Sequence, residues 1–523
     1  MKKVFIYDTT LRDGAQTEGI SYSMQDQINI AKRLDEFGVH FIEGGWPFSN
    51  PKAKELFNYF KKQKLKKSKL VPFGSTAHPI NPAAKDKNLI SLIEADTEYV
   101  IIFGKTWDLH VKEVLKIKLE DNLKIISDSA RFLKKKGKKV FYDAEHFFDG
   151  YKANPEYALK TITAALDAGT DLVVFCDTNG GTLTWEMKKI VSEVKEKIGQ
   201  NQFGIHCHND LGLAVANSIS CIEEGCVQIQ GTINGYGERC GNADLIPIIG
   251  ILQLKMGYDI ISAKGMEDLT KIARYVSEVS NMVAHDNQPF TGKSAFAHKG
   301  GIHIDAVIKN PLAYEHLDPI LVGNKRKFVV SEMAGKSTLV AKAKELDFQL
   351  DKKSEKAKKI YTLIKDLEAQ GYQFEAAEGS FKLILQREFK KYKKFFELHG
   401  FKVSVEKREN NELISEATIK LKINDSLEHT AAEGDGPVNA LDNALRKALQ
   451  RFYPAVSNMH LTDFKVRVLD EKSGTAAKVR VLIESQDENE NWTTIGVSEN
   501  IIEASWEALV DSVEYKLLKD LKK

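Results

Sequence analysis

The sequence predicts a (β/α)8 (TIM) barrel, followed by a helical accessory region and a C-terminal α+β domain. Short β-branched and aromatic runs alternate with longer helical patterns up to about residue 255, which is typical of βαβ units around a parallel sheet. Eight such units in about 250 residues match the size of a closed barrel. No G-x-G-x-x-G loop follows the first run, although a doubly wound dinucleotide-binding sheet would carry one.

The eight predicted strands lie in the first half of the chain. They are, in order, KVFIYD from Lys3, VHFIEGG from Val39, KLVPFGS from Lys69, EYVIIFG from Glu98, KKVFYDAE from Lys138, DLVVFCDT from Asp171, QFGIHCH from Gln202 and CVQIQGTI from Cys226. Barrel enzymes build their active sites at the C-terminal ends of the strands. The polar residues at those ends are therefore the candidates: Asp8, Arg12, Asp13, Glu43, Asp143, Glu145, Asp177, Thr178, His206, His208, Asn209 and Asn234.

The chain is too long for one ordinary domain. We expect a catalytic barrel over 1–260, a helical accessory and linker region over 261–370, and a regulatory or dimerisation domain over 371–523. In the last part, strand ATIKLKI leads to a helix in GDGPVNALDNALRKAL, and strands KVRVLIES and WTTIGVS lead to a helix in ENIIEASWEALVDSVEYKL. This weak repeat predicts two β-rich units, each closed by one helix.

Composition narrows the class of protein. Lys+Arg 75 against Asp+Glu 73 leaves a net charge of +2, which argues against nucleic acid as a partner, and the basic run Lys61–Lys69 is interpreted as a solvated face. The five cysteines contain no C-x-x-C pair, as expected for reduced thiols. No cationic apolar leader and no apolar run of membrane length occur, so we expect a cytoplasmic protein without a membrane partner.

The pair His206 and His208 predicts a divalent metal site. Spacing of two along a strand points both imidazoles to the same side. With the carboxylate of Asp13 from the opposite strand end, and Asn242 as an oxygen ligand, they form a ligand set with positions open for substrate. The alternatives are packing or hydrogen bonding for the histidines and a helix N-cap for Asn242.

Four further residues are candidates for substrate chemistry. Arg12 is suited to stabilising an oxyanion, and Glu43 either holds it or forms a merely structural pair with it. Thr178 offers a hydroxyl to a substrate carboxylate, although DTNG is also an ordinary turn. Glu145 is the candidate general base, or else a solvated loop carboxylate.

The motifs DTTLRDGAQTEG from Asp8, HCHNDLGLAVAN from His206 and NGYGERCGNADL from Asn234 resemble those of the metal-dependent barrel family that contains isopropylmalate, homocitrate and citramalate synthases. SAFAHKGGIHIDAV, YEHLDP and TAAEGDGPVNALDNALRKAL extend the resemblance into the C-terminal regulatory domain. EGGWPFSNP, FGKTWDLHV, DAEHFFDGYKANPEYAL and SENIIEASWEALVDS are most similar to the citramalate-forming group. Ala77 and His78 depart from the arginine pair expected there.

The resemblance implies the site and its partners. Asp13, His206, His208 and Asn242 would bind Zn²⁺, Mn²⁺ or Mg²⁺, and Arg12, Glu145 and Thr178 would serve the oxo acid. His303 and Tyr314 match a downstream His and Tyr that complete the site, often from the partner subunit, so a homodimer is implied.

The implied reaction is a Claisen condensation of acetyl-CoA with pyruvate to (R)-citramalate in isoleucine biosynthesis, with isoleucine as feedback inhibitor. Gly434, Asp435 and Gly436 before the helix at Pro437 offer free N–H groups to an effector carboxylate. The alternatives are 2-oxoisovalerate as the acceptor, and a metabolite sensor that has lost catalysis.

Overall fold

A computed structural model describes residues 3–199, 202–329, 335–469 and 477–521. The chain divides into two compact units, Met1–Phe296 with Leu317–Arg326, and Ala297–His316 with Lys327–Lys523. Residues of the predicted accessory region contribute to both units. Every helix within the described ranges is too short or too polar to span a membrane. All five cysteines are free thiols.

The first unit is the predicted barrel, which the structure confirms. Its strands are β1 Phe5–Asp8, β2 Phe41–Glu43, β3 Lys69–Val71, β4 Phe73–Ser75, β5 Tyr99–Lys105, β6 Lys139–Glu145, β7 Leu172–Asp177, β8 Phe203–Cys207 and β9 Gln228–Gly231. They pair in parallel in the order β3-β2-β1-β9-β8-β7-β6-β5-β4. The two ends of this order, β3 and β4, are halves of the third predicted strand. Pro72 separates them because it has no N–H to continue the ladder.

Helices cover the outside of the barrel. They are α1 Met24–Phe37, α2 Pro51–Lys62, α3 Lys87–Glu94, α4 Leu119–Lys135, α5 Phe147–Ala153, α6 Pro155–Asp167, α7 Thr184–Ile198, α8 Ala214–Glu223, α9 Leu245–Leu254, α10 Ala263–Glu267 and α11 Leu269–Val279. Alternate strand residues point to two different cores. Ile205 and Cys207 pack in the core shared with the helices, whereas Tyr7, Phe141 and Val174 fill the barrel interior.

This alternation positions the site. Since Cys207 faces the helices, its neighbours His206 and His208 face the interior and the mouth of the barrel. Cys207 itself is therefore a residue of the core between strands and helices. By the same parity, Gln228 and Gln230 of β9 point inward, because Ile229 between them packs in the outer core.

The second unit begins with short elements and ends in an α+β domain. Its first elements are β10 Ala297–His298, α12 Gly301–Lys309, β11 Lys327–Phe328, α13 Lys336–Glu345, α14 Glu355–Ala369 and α15 Glu378–Glu388. They are followed by β12 Glu397–Lys407, β13 Leu413–Ile423, β14 Ser426–Gly434, α16 Pro437–Leu449, β15 His460–Val468, β16 Val479–Gln486, β17 Asn491–Ser498 and α17 Ile501–Asp520.

The predicted internal repeat is present in this domain. Each half has three antiparallel strands, β12-β13-β14 and β15-β16-β17, followed by one helix. Buried residues of both halves share one core, including Ile419 and Leu445 of the first and Ile483 and Leu509 of the second. The predicted helix start at Pro437 is also found.

Candidate active site

The structure brings the predicted metal ligands together at the mouth of the barrel. Asp13 follows β1, His206 belongs to β8, and His208 comes just after it; all three are buried. His206 Nε2 lies 3.3 Å from Asp13 Oδ2 and 3.3 Å from His208 Nε2. One ligand atom from each residue lies within 4.8 Å of the others. Such a cluster of one carboxylate and two imidazoles has the composition of a divalent metal site.

The protonation state of the three residues suits ligation. Burial lowers the pKa of His206, and burial together with His206 lowers the pKa of His208 to about 3. Burial alone would raise the pKa of Asp13, but Arg12 and the two histidines outweigh it and lower that pKa. At neutral pH the cluster therefore consists of two neutral imidazoles and a carboxylate, which is the form that binds metal.

Asn242 supplies an independent test of whether a cation fits. Its Nδ2 donates to Asp13 Oδ2 at 3.0 Å, while its buried Oδ1 accepts no hydrogen bond from any described residue. A buried carbonyl oxygen without a donor is costly unless another group binds it. Asp244, not Asn242, is the N-cap of α9. The unsatisfied oxygen beside the cluster therefore fits a fourth ligand.

Arg12 lies next to this cluster, held on three sides. Its Nε donates to Glu43 Oε1 at 2.5 Å, its Nη1 lies 3.1 Å from Asp13 Oδ1, and its guanidinium stacks 3.9 Å from the Phe73 ring centroid. Burial would lower the pKa of Arg12, but Asp13 and Glu43 outweigh it and raise that pKa. Glu43 is fully buried and also accepts from Tyr7 Oη at 2.9 Å. Arg12 is thus a fixed cation beside the metal cluster.

Glu145 ends β6 and forms a short ion pair with Lys105, which ends β5. Both side chains are about one-fifth exposed, 22% and 19%. Thr178 follows β7, and its Oγ1 accepts the His146 N–H at 2.9 Å. The hydroxyl hydrogen of Thr178 is therefore still available to an acceptor. Polar groups from three adjacent strand ends surround the mouth.

Next to Arg12 the mouth has an aromatic wall. The rings of Phe73 and Phe103 stack at 5.3 Å, and Trp46 meets each edge-on at 5.8 Å. Trp46 and Phe103 continue into a cavity of about 580 Å³, whose lining also includes Lys105. Ala77 and His78, the two departures noted above, belong to the same lining.

His303 and Tyr314 belong to the second unit. Their rings stack with centroids 4.2 Å apart. Close by in sequence, His298 Nε2 lies 3.0 Å from Glu315 Oε1. This contact ties β10, just before the helix of His303, to the residue that follows Tyr314. The structure thus pairs the two residues that the family resemblance had selected.

The sequence did not predict a role for two polar residues near the site, Lys105 and Gln230. Lys105 is the last residue of β5, where active-site residues are expected, but a single lysine at a strand end does not by itself indicate a catalytic role. Gln230 lies inside β9, where its Oε1 is 2.9 Å from His206 Nδ1 and its Nε2 donates to Asp143 Oδ1 at 3.1 Å. Only the fold brings these three residues together.

Comparison with known proteins finds matches along most of the chain. Residues 3–277 match the HMGL-like family, residues 290–372 match the homocitrate synthase post-HMGL domain-like family, and residues 375–517 match the LeuA allosteric (dimerisation) domain. The chain is 53% identical to (R)-citramalate synthases of Aquifex aeolicus and Geobacter sulfurreducens, over 99% of this chain and 98% of each relative. It is 32% identical to a 2-isopropylmalate synthase of Methanocaldococcus jannaschii, over 99% and 95% of the two chains.

Proposed function

The chain belongs to the HMGL-like family, in the group of the (R)-citramalate synthases, and from this premise we propose that it condenses acetyl-CoA with pyruvate to (R)-citramalate and CoA. The observation that carries the proposal is the buried cluster of Asp13, His206 and His208 with the Arg12 guanidinium beside it. A metal-ligand cluster next to a fixed cation suits a 2-oxo acid, which has a carboxylate and a keto oxygen to be held.

We propose that Asp13, His206, His208 and the Oδ1 of Asn242 hold a divalent ion, Zn²⁺, Mn²⁺ or Mg²⁺. When bound, this ion would polarise the keto group of pyruvate. Arg12 adds positive charge where the keto oxygen becomes an alkoxide, and its planar guanidinium is held for this by Glu43 and Phe73. Thr178 donates its hydroxyl hydrogen to the pyruvate carboxylate.

Glu145 is proposed as the base that removes a proton from the acetyl methyl group. Its ion pair with Lys105 holds the side chain in place at the C-terminal end of β6. The resulting enolate carbon attacks the keto carbon of pyruvate, and the alkoxide takes up a proton. Water then cleaves the thioester, which releases the CoA thiol and makes the sequence irreversible.

The cavity beside Lys105 and Trp46 is the proposed place for the thioester arm of acetyl-CoA. It is concave and partly apolar, as a cosubstrate site requires, and its lining includes Lys105, the partner of Glu145. We further propose that His303 and Tyr314 assist proton transfer. The ring stack at 4.2 Å holds the two side chains as one group.

The proposed assembly is a cytoplasmic homodimer in isoleucine biosynthesis, with isoleucine as feedback inhibitor. The match of residues 375–517 to the LeuA allosteric (dimerisation) domain supports the dimer and a regulatory role for this part of the chain. Because Gly434 ends β14 and Pro437 begins α16, the free N–H groups of the α16 start are available to an effector carboxylate.

The test is to follow CoA thiol release with pyruvate, 2-oxoisovalerate, 2-oxobutyrate and 2-oxoglutarate as acceptors. We expect pyruvate to have the highest kcat/KM, because the aromatic wall beside Arg12 restricts the space for the acceptor side chain. Each methylene changes this preference by about 1–3 kcal/mol. A preference for 2-oxoisovalerate would make the chain an isopropylmalate synthase, and no thiol release with any acceptor would favour a sensor.

A further inference from the structure

A buried chain of three polar side chains crosses the barrel interior from β6 to the metal cluster. Gln230 lies opposite His206 in the register of β8 and β9. Its Oε1 is 2.9 Å from His206 Nδ1, and its Nε2 donates to Asp143 Oδ1 at 3.1 Å. Gln230 has no exposed surface, and Asp143 and His206 are 4% and 5% exposed. Solvent therefore does not compete for these bonds.

The two ends of the Gln230 amide are chemically different. The carbonyl oxygen accepts only, so the nitrogen of His206 that faces it must carry the imidazole hydrogen. In a neutral imidazole the other nitrogen, Nε2, then has a free lone pair. This is the nitrogen 3.3 Å from both Asp13 and His208. The amide thus fixes the His206 tautomer that a metal needs.

Asp143 determines which way the amide points. Reversal of the amide would place its NH2 group against His206 Nδ1 and its carbonyl against an Asp143 oxygen. The acceptor oxygen of Asp143 favours the observed orientation, because it takes the NH2 end. We propose that Asp143 and Gln230 are positioning residues for the metal centre: Asp143 orients the Gln230 amide, and the amide holds His206 with its Nε2 lone pair toward the site.

This inference rests on the proposed metal-dependent function. Its test measures Co²⁺ binding without substrates, from the visible d–d absorption of the metal-free full-length chain during titration. Gln230→Met keeps the length of the side chain but removes both hydrogen bonds. Loss of a group that orients a metal-bound histidine costs about 10–100-fold in metal affinity, and we expect a loss of that size. Gln230→Glu still accepts from His206 and shares a proton with Asp143, so it should bind Co²⁺ within about threefold of wild type.

The matched control is Gln228→Met. Gln228 lies two residues earlier on β9, faces the same interior and is 1% exposed, but its Oε1 accepts no hydrogen bond from the described residues. It should bind Co²⁺ as wild type does. A second pair repeats the comparison at Asp143: Asp143→Leu should weaken binding, whereas Asp143→Asn keeps an oxygen acceptor and should retain it.

The possible outcomes distinguish a failure of the proposed metal-dependent function from a failure of the positioning role. If wild-type protein binds no Co²⁺, the proposed metal-dependent function fails. If wild type binds and Gln230→Met binds equally well, or Gln228→Met is weakened as much, the positioning role is wrong. Circular dichroism and thermal unfolding of each metal-free variant check that it folds. If Gln230→Met does not fold, Gln230→Glu and the two Asp143 variants test the positioning role instead. Equal weakening of Co²⁺ binding by Asp143→Leu and Asp143→Asn would then overturn the proposal.

Discussion

Replacing Arg12 by lysine tests the proposed oxyanion role while it keeps the positive charge. Arg12 makes three contacts at once: 2.5 Å to Glu43, 3.1 Å to Asp13 and 3.9 Å to the face of Phe73. A compact ammonium reaches one of the carboxylates and cannot stack as a plane. Loss of one oxyanion donor costs about 2.7–4 kcal/mol in the transition state, or about 100–1,000-fold in kcat. We expect a loss in that range for Arg12→Lys.

The assay is CoA thiol release at saturating acetyl-CoA and pyruvate, with bound metal measured on the same sample. Arg12→Lys should keep its metal, because Arg12 is not a ligand. The control is Arg33→Lys on α1, where Arg33 pairs with Glu36 at 3.1 Å and is 36% exposed; it should retain the wild-type rate. An Arg12→Lys enzyme within about threefold of wild type, less than 1 kcal/mol, would refute the oxyanion role.

Four further predictions follow from other parts of the molecule. His208→Ala should lose both metal and turnover, since it removes a ligand; full activity of this variant after chelator treatment would contradict the ligand set. Lys105→Met should lower kcat by up to about 100-fold with metal content unchanged, because Glu145 loses the contact that holds its side chain in place; a wild-type rate would show that Lys105 does not position Glu145. Asp487→Asn should destabilise the C-terminal domain by about 1.5–3 kcal/mol, because Lys516 and Lys519 lose the buried carboxylate that they share, although Lys516 keeps its contact with Asp520 at 3.2 Å. Burial alone would raise the pKa of Asp487, but the lysines of α17 outweigh it and lower that pKa. The ionised carboxylate therefore stabilises the folded domain above the unfolded-state pKa of about 4, and this stabilisation is lost as the pH falls below that value. An equal unfolding temperature of variant and wild type at pH 7 would contradict the prediction. Isoleucine should inhibit the full chain but not a chain ending before residue 371; inhibition of the truncated chain would move the effector site out of the C-terminal domain.

The barrel and its site could largely be predicted from the sequence. The strand-end rule placed Asp13, Arg12 and His206 at one mouth, because parallel strands in a barrel all end on the same face. The break of the third strand at Pro72 was not predicted, although the sequence shows a proline there, which has no N–H to donate to the sheet. Local pattern was sufficient where a residue's role follows from its place on its own strand.

Contacts between distant segments could not be predicted in this way. Lys105 and Glu145 are 40 residues apart and meet because β5 and β6 pair in register. Gln230 is an ordinary strand residue until the barrel sets it against His206. His303 and Tyr314 were identified only through the family resemblance, since a histidine in a Gly-rich loop carries no periodic signal.

We propose above all that a metal centre at the barrel mouth performs the condensation with pyruvate. The most direct test is to strip the full-length protein with chelator, return Zn²⁺, Mn²⁺ or Mg²⁺ in measured steps, and record bound metal and citramalate formation together. We expect no citramalate from the stripped protein, and a rate that rises in proportion to metal occupancy until each chain holds one ion. Citramalate formed at the full rate by metal-free protein would contradict it.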